Sequence, residues 1–356
     1  NLLPLDGTKP LRILLTGPGA DDLYGQLGDY TPPVRPEAGV TFRQGLERRL
    51  ERGGSPAALT FRAGCRRFAP SPELLAQAEW AAREADVIVA VLGGSSSRFS
   101  GGTFQDNGAL ADQKTASMDC GENVDAALLR LPGDQLELLR RLRGTGKPVV
   151  TFLIQGRPYE MEEIDACSDA LFCCFYPGLT GGEAAAKLLF GDLAPAGRLP
   201  VSLPDRAGQL PVYYNYKDSY QGMRYYDAPR PRYPFGWGLT YTRFAYALAS
   251  APEEGDLSLT FTVRNAGERT ACAVPQLYLH RSQGAATSRV RALCAFSKTE
   301  LAPGQEKALR LDIPRESLTQ WDARGRTILP PGKIQWFLRD GGEDLLQGEF
   351  FVKGAE

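Results

Sequence analysis

The sequence predicts an open α/β domain built on a mostly parallel sheet, followed by an all-β sandwich. Three observations predict it. At 356 residues the chain is long enough for two domains. Up to about residue 250, short apolar runs alternate with amphipathic stretches, the pattern of βα units on a doubly wound parallel sheet. Beyond it, runs of period-two alternation are separated by glycine and proline turns, the pattern of an antiparallel sandwich.

Leu11 to Thr16 reads as the first strand, Thr41 to Arg52 as a helix and Ala58 to Ala63 as a second strand. Ser71-Pro72-Glu73 opens the next helix with a cap residue, a proline at the first position and a first-turn acid. Val87 to Leu92 is continuously apolar, as a parallel strand buried on both faces must be. A helix opens at Pro132-Gly133-Asp134-Gln135-Leu136 and carries Arg140, Arg141 and Arg143 at its end, an order that complements the helix dipole. Strands are expected at Val149 to Ile154 and Asp169 to Phe175, and a helix at Gly182 to Phe190. The sandwich strands fall at Leu257 to Val263, Val274 to His280, Lys307 to Ile313, Ile334 to Leu338 and Leu346 to Val352. Turns at Asn265-Ala266-Gly267, Ala302-Pro303-Gly304 and Pro330-Pro331-Gly332 separate them. The expected organisation is an α/β domain over 1–204, a Tyr/Pro-rich connector over 205–250 and the sandwich over 251–356.

Composition excludes several functions. A formal net charge of -1 lacks the cationic surplus that nucleic acid requires, and no apolar run approaches a membrane span. No cysteine pair has zinc-ligand spacing, and no metal or cofactor is implied. The seven cysteines are an odd number, and Cys173-Cys174 lie in an apolar run; buried free thiols suit a reducing, cytoplasmic location. Export stays open, because Asn1-Leu2-Leu3-Pro4-Leu5 has no initiator Met and reads as a chain entering mid-protein. The one histidine, His280, sits in a strand-like run away from any nucleophile motif.

Chemistry concentrates after the Val87 strand. From Gly93 to Leu131 nothing reads as regular structure, and a segment of that length leaving the C-terminal end of a parallel strand is usually functional. Within it, Met118-Asp119-Cys120-Gly121-Glu122-Asn123-Val124-Asp125 places three carboxylates in seven residues. Lacking the register of a calcium loop, it reads either as a solvated acidic turn or as acid/base machinery. Just ahead, Ser95-Ser96-Ser97-Arg98-Phe99 offers hydroxyls, a guanidinium fork and an aromatic ring to a ligand. Arg98, Phe99 and Asp119 are therefore candidate substrate contacts, with pairing of Arg98 to Asp119 or Asp125 as the structural alternative.

Gly121-Glu122-Asn123-Val124-Asp125 followed by Leu131-Pro132-Gly133-Asp134-Gln135 resembles the Gly-Glu-Gly-x-Asp and Leu-Pro-x-x-Gln segment of family-3 glycoside hydrolases. Gly17-Pro18, Gly28-Asp29-Tyr30, Lys147-Pro148-Val149-Val150, Gly156-Arg157-Pro158 and Tyr176-Pro177-Gly178 continue the likeness. So do Gly197-Arg198-Leu199-Pro200, Arg224-Tyr225-Tyr226-Asp227 and Tyr233 to Tyr241, while Gln276-Leu277-Tyr278 and Leu301-Ala302-Pro303-Gly304 resemble the family's fibronectin-III-like module. The resemblance implies a retaining β-glycosidase, β-glucosidase first and β-xylosidase second, in which Glu122 is the general acid/base. The family's nucleophile is an aspartate on a preceding (β/α)8 barrel that this chain lacks, and Asn1 to Leu5 resembles the junction after that barrel. The implied partners are a β-linked oligosaccharide or glycoside and the barrel, from the same precursor or a partner chain; homo-oligomerisation stays open. The rival from another class is a carbohydrate-binding or scaffold protein that has lost its barrel. Two departures from the pattern stand out: Asn123 replaces a glycine, and Ala126 stands where an arginine often follows the aspartate.

Overall fold

The structure, a computed structural model, describes residues 2–32, 34–97, 118–122, 124–217, 226 and 230–354. It divides into two units, Asn1–Leu193 and Ala194–Glu356.

The first unit is a five-stranded, all-parallel sheet of β1 (Arg12–Thr16), β2 (Ala58–Arg62), β3 (Val87–Gly93), β4 (Val149–Ile154) and β5 (Ala170–Phe175) in the order β2-β1-β3-β4-β5. Helices α1 (Phe42–Arg52) and α5 (Gly181–Phe190) cover one face; Phe42, Leu46, Leu189 and Phe190 bury themselves against Ile13, Leu15, Val89, Val91 and Phe152. Strand residues alternate between faces, so Leu14, Ile88, Ala90 and Leu92, also fully buried, serve the other face. There lie α2 (Pro72–Glu84) and α3 (Gln135–Gly144), with the five-residue α4 (Glu162–Ala166) beside α3. Each fully buried Leu, Ile, Val or Phe contributes about 1.5–3 kcal/mol, which is why the central strands read as unbroken apolar runs.

Local chemistry fixes the helices. Thr41 caps α1 in a reciprocal box: Gln44 N–H donates to its hydroxyl at 3.2 Å, and Thr41 N–H donates to Gln44 Oε1 at 3.1 Å. The α1–α5 crossing needs glycine on both sides, because a Cβ on Gly45 would lie 2.1 Å from the Gly182 carbonyl oxygen. Ser71 occupies the cap position of α2, but its hydroxyl accepts from Arg66 N–H at 2.9 Å instead of from the helix. Asp134 accepts from Ser71 N–H at 2.7 Å, so the two helix starts are tied together. That helix start also explains why α3 begins at Gln135 and not at Pro132: Gly133 takes φ +59, a turn conformation, ahead of it. Cys173 and Cys174, expected to be buried, are half-buried. β5 is an edge strand, and all six of its residues are half-buried. Of the seven free thiols, only Cys65 and Cys120 are buried.

The second unit is an antiparallel sandwich. One sheet joins β10 (Ala292–Phe296), β9 (Gln276–Arg281), β15 (Gly332–Asp340) and β16 (Glu343–Val352); the other joins β12 (Glu306–Asp312), β7 (Ser258–Asn265) and β6 (Phe244–Ser250). Alternate residues Leu259, Phe261, Leu277, Leu279, Ile334, Trp336 and Leu338 form its core. Four short strands, β8 (Ala271–Ala273), β11 (Thr299–Leu301), β13 (Gln320–Trp321) and β14 (Thr327–Ile328), make two further ladders. The stretch 205–250 falls inside this unit and ends in β6. Within the unit, Leu199 N–H donates to Trp237 O and Gly236 N–H to Leu199 O, each at 2.8 Å. Nearby, Arg198 forms a buried ion pair with Asp340, which also accepts from Tyr246 Oη at 2.7 Å and Val274 N–H at 3.1 Å.

Candidate active site

In the order β2-β1-β3-β4-β5, the chain runs outward in one direction from β1 and in the other from β3. The crevice above the C-terminal ends of those two strands is a topological switch point, the place where open parallel sheets bind ligands. The β3 exit is fixed first. Gln135, fully buried at the start of α3, accepts from Gly93 N–H at 2.7 Å and donates Nε2–H to Gly93 O at 2.9 Å. A side-chain amide thus stands in for a strand partner, and Gly94 N–H then donates to Ile154 O at 3.2 Å.

Asp119 closes the outgoing and returning limbs. Its N–H donates to Ser95 O at 3.0 Å, and its Oδ1 accepts from Ser95 N–H at 2.9 Å. Its Oδ2 accepts from the buried Tyr159 hydroxyl, whose proton is held more tightly by burial and by the Asp119 charge. Gly94 has to be glycine here, because a Cβ would overlap the Asp119 carboxylate. Both Asp119 oxygens therefore bind the protein. Next in line, Cys120 is buried, with Sγ 3.0 Å from the Tyr176 hydroxyl, and Gly156 leaves the space that this pair occupies.

Gly121, at φ +125, starts a tight turn closed by Val124 N–H donating to Gly121 O at 3.2 Å. Glu122 lies in that turn and is exposed on this chain. Its N–H donates to Asp29 Oδ2 at 3.2 Å, so the β1 loop holds the turn from the far side of the crevice. From the β4 exit, Arg157 donates Nη2–H to Asp119 O at 2.9 Å and to Val124 O at 3.2 Å. Its Nη1 pairs with Asp125, whose carboxyl is held below the usual range by the Ala126 N–H and then by Arg157. The guanidinium expected at position 126 is thus supplied beside Asp125 by Arg157. Arg98 and Phe99 lie outside the described residues.

A second signature converges on the same loop. Among the described residues, two non-glycine residues have positive φ: Tyr30 at 58° and Phe175 at 49°. Such conformations cost on the order of 1–3 kcal/mol and cluster at functional sites. Tyr30 follows Asp29, which holds Glu122, and Phe175 precedes Tyr176, which meets Cys120. Asp29, Arg157, Tyr159 and Tyr176 were not assigned a role from sequence. The available signal was position: Gly156-Arg157-Pro158-Tyr159 and Tyr176 sit just past the ends of parallel strands.

Residues 1–241 match the glycosyl hydrolase family 3 C-terminal domain, and residues 273–340 match a fibronectin type III-like domain. The chain belongs to glycosyl hydrolase family 3. Among family-3 relatives, a periplasmic β-glucosidase of Salmonella typhimurium is 32% identical over 79% of this chain and 36% of its own length. A β-xylosidase of Formosa agariphila is 30% identical over 93% of this chain and 44% of its own. A crystal structure of a Listeria innocua β-glucosidase in complex with isofagomine superposes with a TM-score of 0.83 at 28% identity, covering 99% of this chain and 47% of that one. The family-3 chain therefore spans less than half the length of each of these relatives. Among its described residues no helix is long and apolar enough to cross a membrane.

Proposed function

We propose that this chain supplies the general acid/base, Glu122, of a retaining β-glycosidase whose nucleophile lies on a (β/α)8 barrel outside the sequence described. The observation that carries the reading is the way Glu122 is held. Its turn is fixed at the switch point through main-chain bonds from Asp29 and Arg157, while its side chain is exposed on this chain. An acidic turn of no consequence would not need anchors from two separate strand ends.

In the reaction, two carboxyls flank the glycosidic bond about 5–5.5 Å apart. The barrel aspartate attacks the anomeric carbon and forms a glycosyl-enzyme. Glu122 first gives its proton to the departing oxygen, then takes one from the incoming water. Glu122 is exposed on this chain, on which the barrel and the substrate would close. The substrate is a terminal β-D-glucosyl residue, with β-xylosyl as the second reading because the relative covering 93% of the chain is a β-xylosidase. We also place the enzyme in a reducing compartment, on its seven free thiols, one of which, Cys65, burial pushes up to about 12 and so renders inert. The periplasmic relative marks the exported alternative.

The test is Glu122→Gln in the full-length enzyme. Turnover of disaccharides should fall roughly 10²–10⁴-fold, and activated aryl glycosides should lose much less because their leaving groups need little protonation. Wild-type turnover of disaccharides by the variant would refute the assignment, whereas no turnover by the wild-type protein itself would favour the scaffold reading.

A further inference from the structure

We infer that Tyr176 is a positioning residue for the turn that carries Glu122, acting through the Cys120 side chain; the inference rests on Glu122 being the general acid. The end of β5 is built to aim one side chain. Its ladder with β4 runs in step as far as Cys173 opposite Leu153, then skips Cys174, so that Phe175 stands opposite Ile154. Phe175 next takes φ 49°, a left-handed conformation that a bulky residue keeps only where its surroundings enforce it. A bulge re-aims the residues beyond it, and the positive φ turns the chain further. Both fall immediately before Tyr176, and neither improves the apolar packing of an edge strand.

Glycines clear the path of the ring at both ends. A Cβ on Gly28 would lie 2.8 Å from Cδ2 near its base, and a Cβ on Gly156 would lie 2.4 Å from its hydroxyl and 2.6 Å from Cys120 Sγ. The chain just beyond is tied to the β1 loop: Gly178 N–H donates to Gln26 O at 2.9 Å, and Gln26 Nε2–H donates to Gly178 O at 3.1 Å. The hydroxyl so delivered stands 3.0 Å from Sγ of Cys120, which is buried and precedes Gly121-Glu122. Asp29 and Arg157 hold main-chain groups of the turn, whereas Cys120 sends its side chain inward and lands on Tyr176. That contact sets how deeply the turn seats against the strand ends, and hence how far Glu122 reaches toward the glycosidic oxygen. Burial, and then the thiol, push the Tyr176 phenol above its usual range, so it stays protonated and transfers no proton.

The experiment uses the full-length enzyme as wild type, Tyr176→Phe, Cys120→Ala, the double variant and Gly156→Ala, with Glu122→Gln as reference. Each is assayed on cellobiose and on dinitrophenyl β-D-glucoside, or on xylobiose and the matching xyloside if xylose is the sugar cleaved. Tyr176→Phe keeps the ring and removes the hydroxyl. Its kcat/KM for the disaccharide should fall roughly threefold to tenfold, the size of one hydrogen bond, through kcat and with KM little changed. The dinitrophenyl substrate, whose leaving group needs little protonation, should stay within about twofold. Gly156→Ala alters neither partner but drives a methyl group between them, and should lose at least as much on the disaccharide while sparing the activated substrate. The double variant should be no slower than the slower single variant, because both substitutions remove the same contact. A merely structural role would instead lower the melting temperature and slow both substrates alike. That outcome, a Tyr176→Phe enzyme with wild-type kcat/KM on the disaccharide, or losses that multiply in the double variant would each overturn the proposal. Failure of the underlying assignment looks different: Glu122→Gln would then hydrolyse the disaccharide normally, and the proposal would fall with it.

Discussion

Removing Arg157 separates two ways of holding the turn that carries Glu122, the proposed acid/base. The guanidinium donates to the Asp119 and Val124 carbonyls, one at each end of the turn, and pairs with Asp125. Its side chain is 20% exposed, so the carbonyl bonds sit near the lower end of the range for charged donors, about 1.5 kcal/mol each. The ion pair is different, because the Asp125 side chain is 91% exposed and solvent screens such a pair. Together the carbonyl bonds tether the turn with about 3 kcal/mol, and without them a shift of Glu122 by about 1 Å costs on the order of 10² in rate. In the full-length enzyme, Arg157→Ala should therefore lower kcat for a disaccharide roughly 10–10²-fold, with KM within about threefold. The loss should shrink for activated aryl glycosides. Asp125→Ala should stay within about twofold of wild type. Arg157→Lys should fall between, because an ammonium lacks the planar fork that reaches two carbonyls and a carboxylate at once. Steady-state kinetics over leaving groups of graded acidity read all four enzymes. If Asp125→Ala matches Arg157→Ala, the ion pair and not the carbonyl clamp is responsible. If Arg157→Ala keeps the wild-type kcat, the turn is held by other means.

Two further perturbations test the frame under the site. Gln135→Ala leaves the buried N–H and C=O of Gly93 without their amide partner and should destabilise the first unit by about 2–4 kcal/mol, read as a lower denaturation midpoint; an unchanged midpoint would show that the backbone finds other partners. Asp86 is held down to about 2 by the Arg12 side chain and then by its backbone N–H, so its contribution is present above about pH 4 and lost as pH falls toward 2. The pair is exposed and screened by solvent, which keeps that contribution small, and Asp86→Asn should flatten the acid limb of the stability profile between those pH values. An unaltered acid limb would contradict the assignment.

Sequence patterning reached the parallel sheet because its central strands are buried on both faces and therefore unbroken in apolar character. It overestimated β5 for the same reason. Leu171 to Phe175 are as apolar as a central strand, yet the strand lies at the sheet edge, and edge position leaves no trace in composition. It missed β8, β11, β13 and β14, whose two or three residues are too few to show a period, and also β6 and β10, edge strands in which no residue is fully buried. Within the candidate site, the motif around Glu122 singles that residue out in the sequence, but nothing there points to the groups that hold its turn. Asp29 is 93 residues away from Glu122, and Tyr159 is 40 from Asp119. Polar contacts between loops so distant in the chain obey no periodicity; only the rule that loops past parallel strand ends converge would have brought them together.

That convergence answers a difficulty in the proposal that a loop carries the general acid, since catalytic groups have to be held to about 0.5 Å. The 119–125 stretch is not positioned by its own sequence. Asp29 reaches it from the β1 loop, Ser95 from the end of β3, Arg157 and Tyr159 from the end of β4, and Tyr176 from the end of β5. Four adjacent strands fix one another through the sheet, so the turn inherits their rigidity. Asp29 and Arg157 also act on main-chain groups, Glu122 N–H and the carbonyls of residues 119 and 124, and not on the side chains between them. A side chain within the turn can then change without moving the carboxylate, provided the strand-end anchors stay. Ala126 shows the consequence: the arginine expected there is absent, and Asp125 still meets a guanidinium, because Arg157 brings one from the β4 exit.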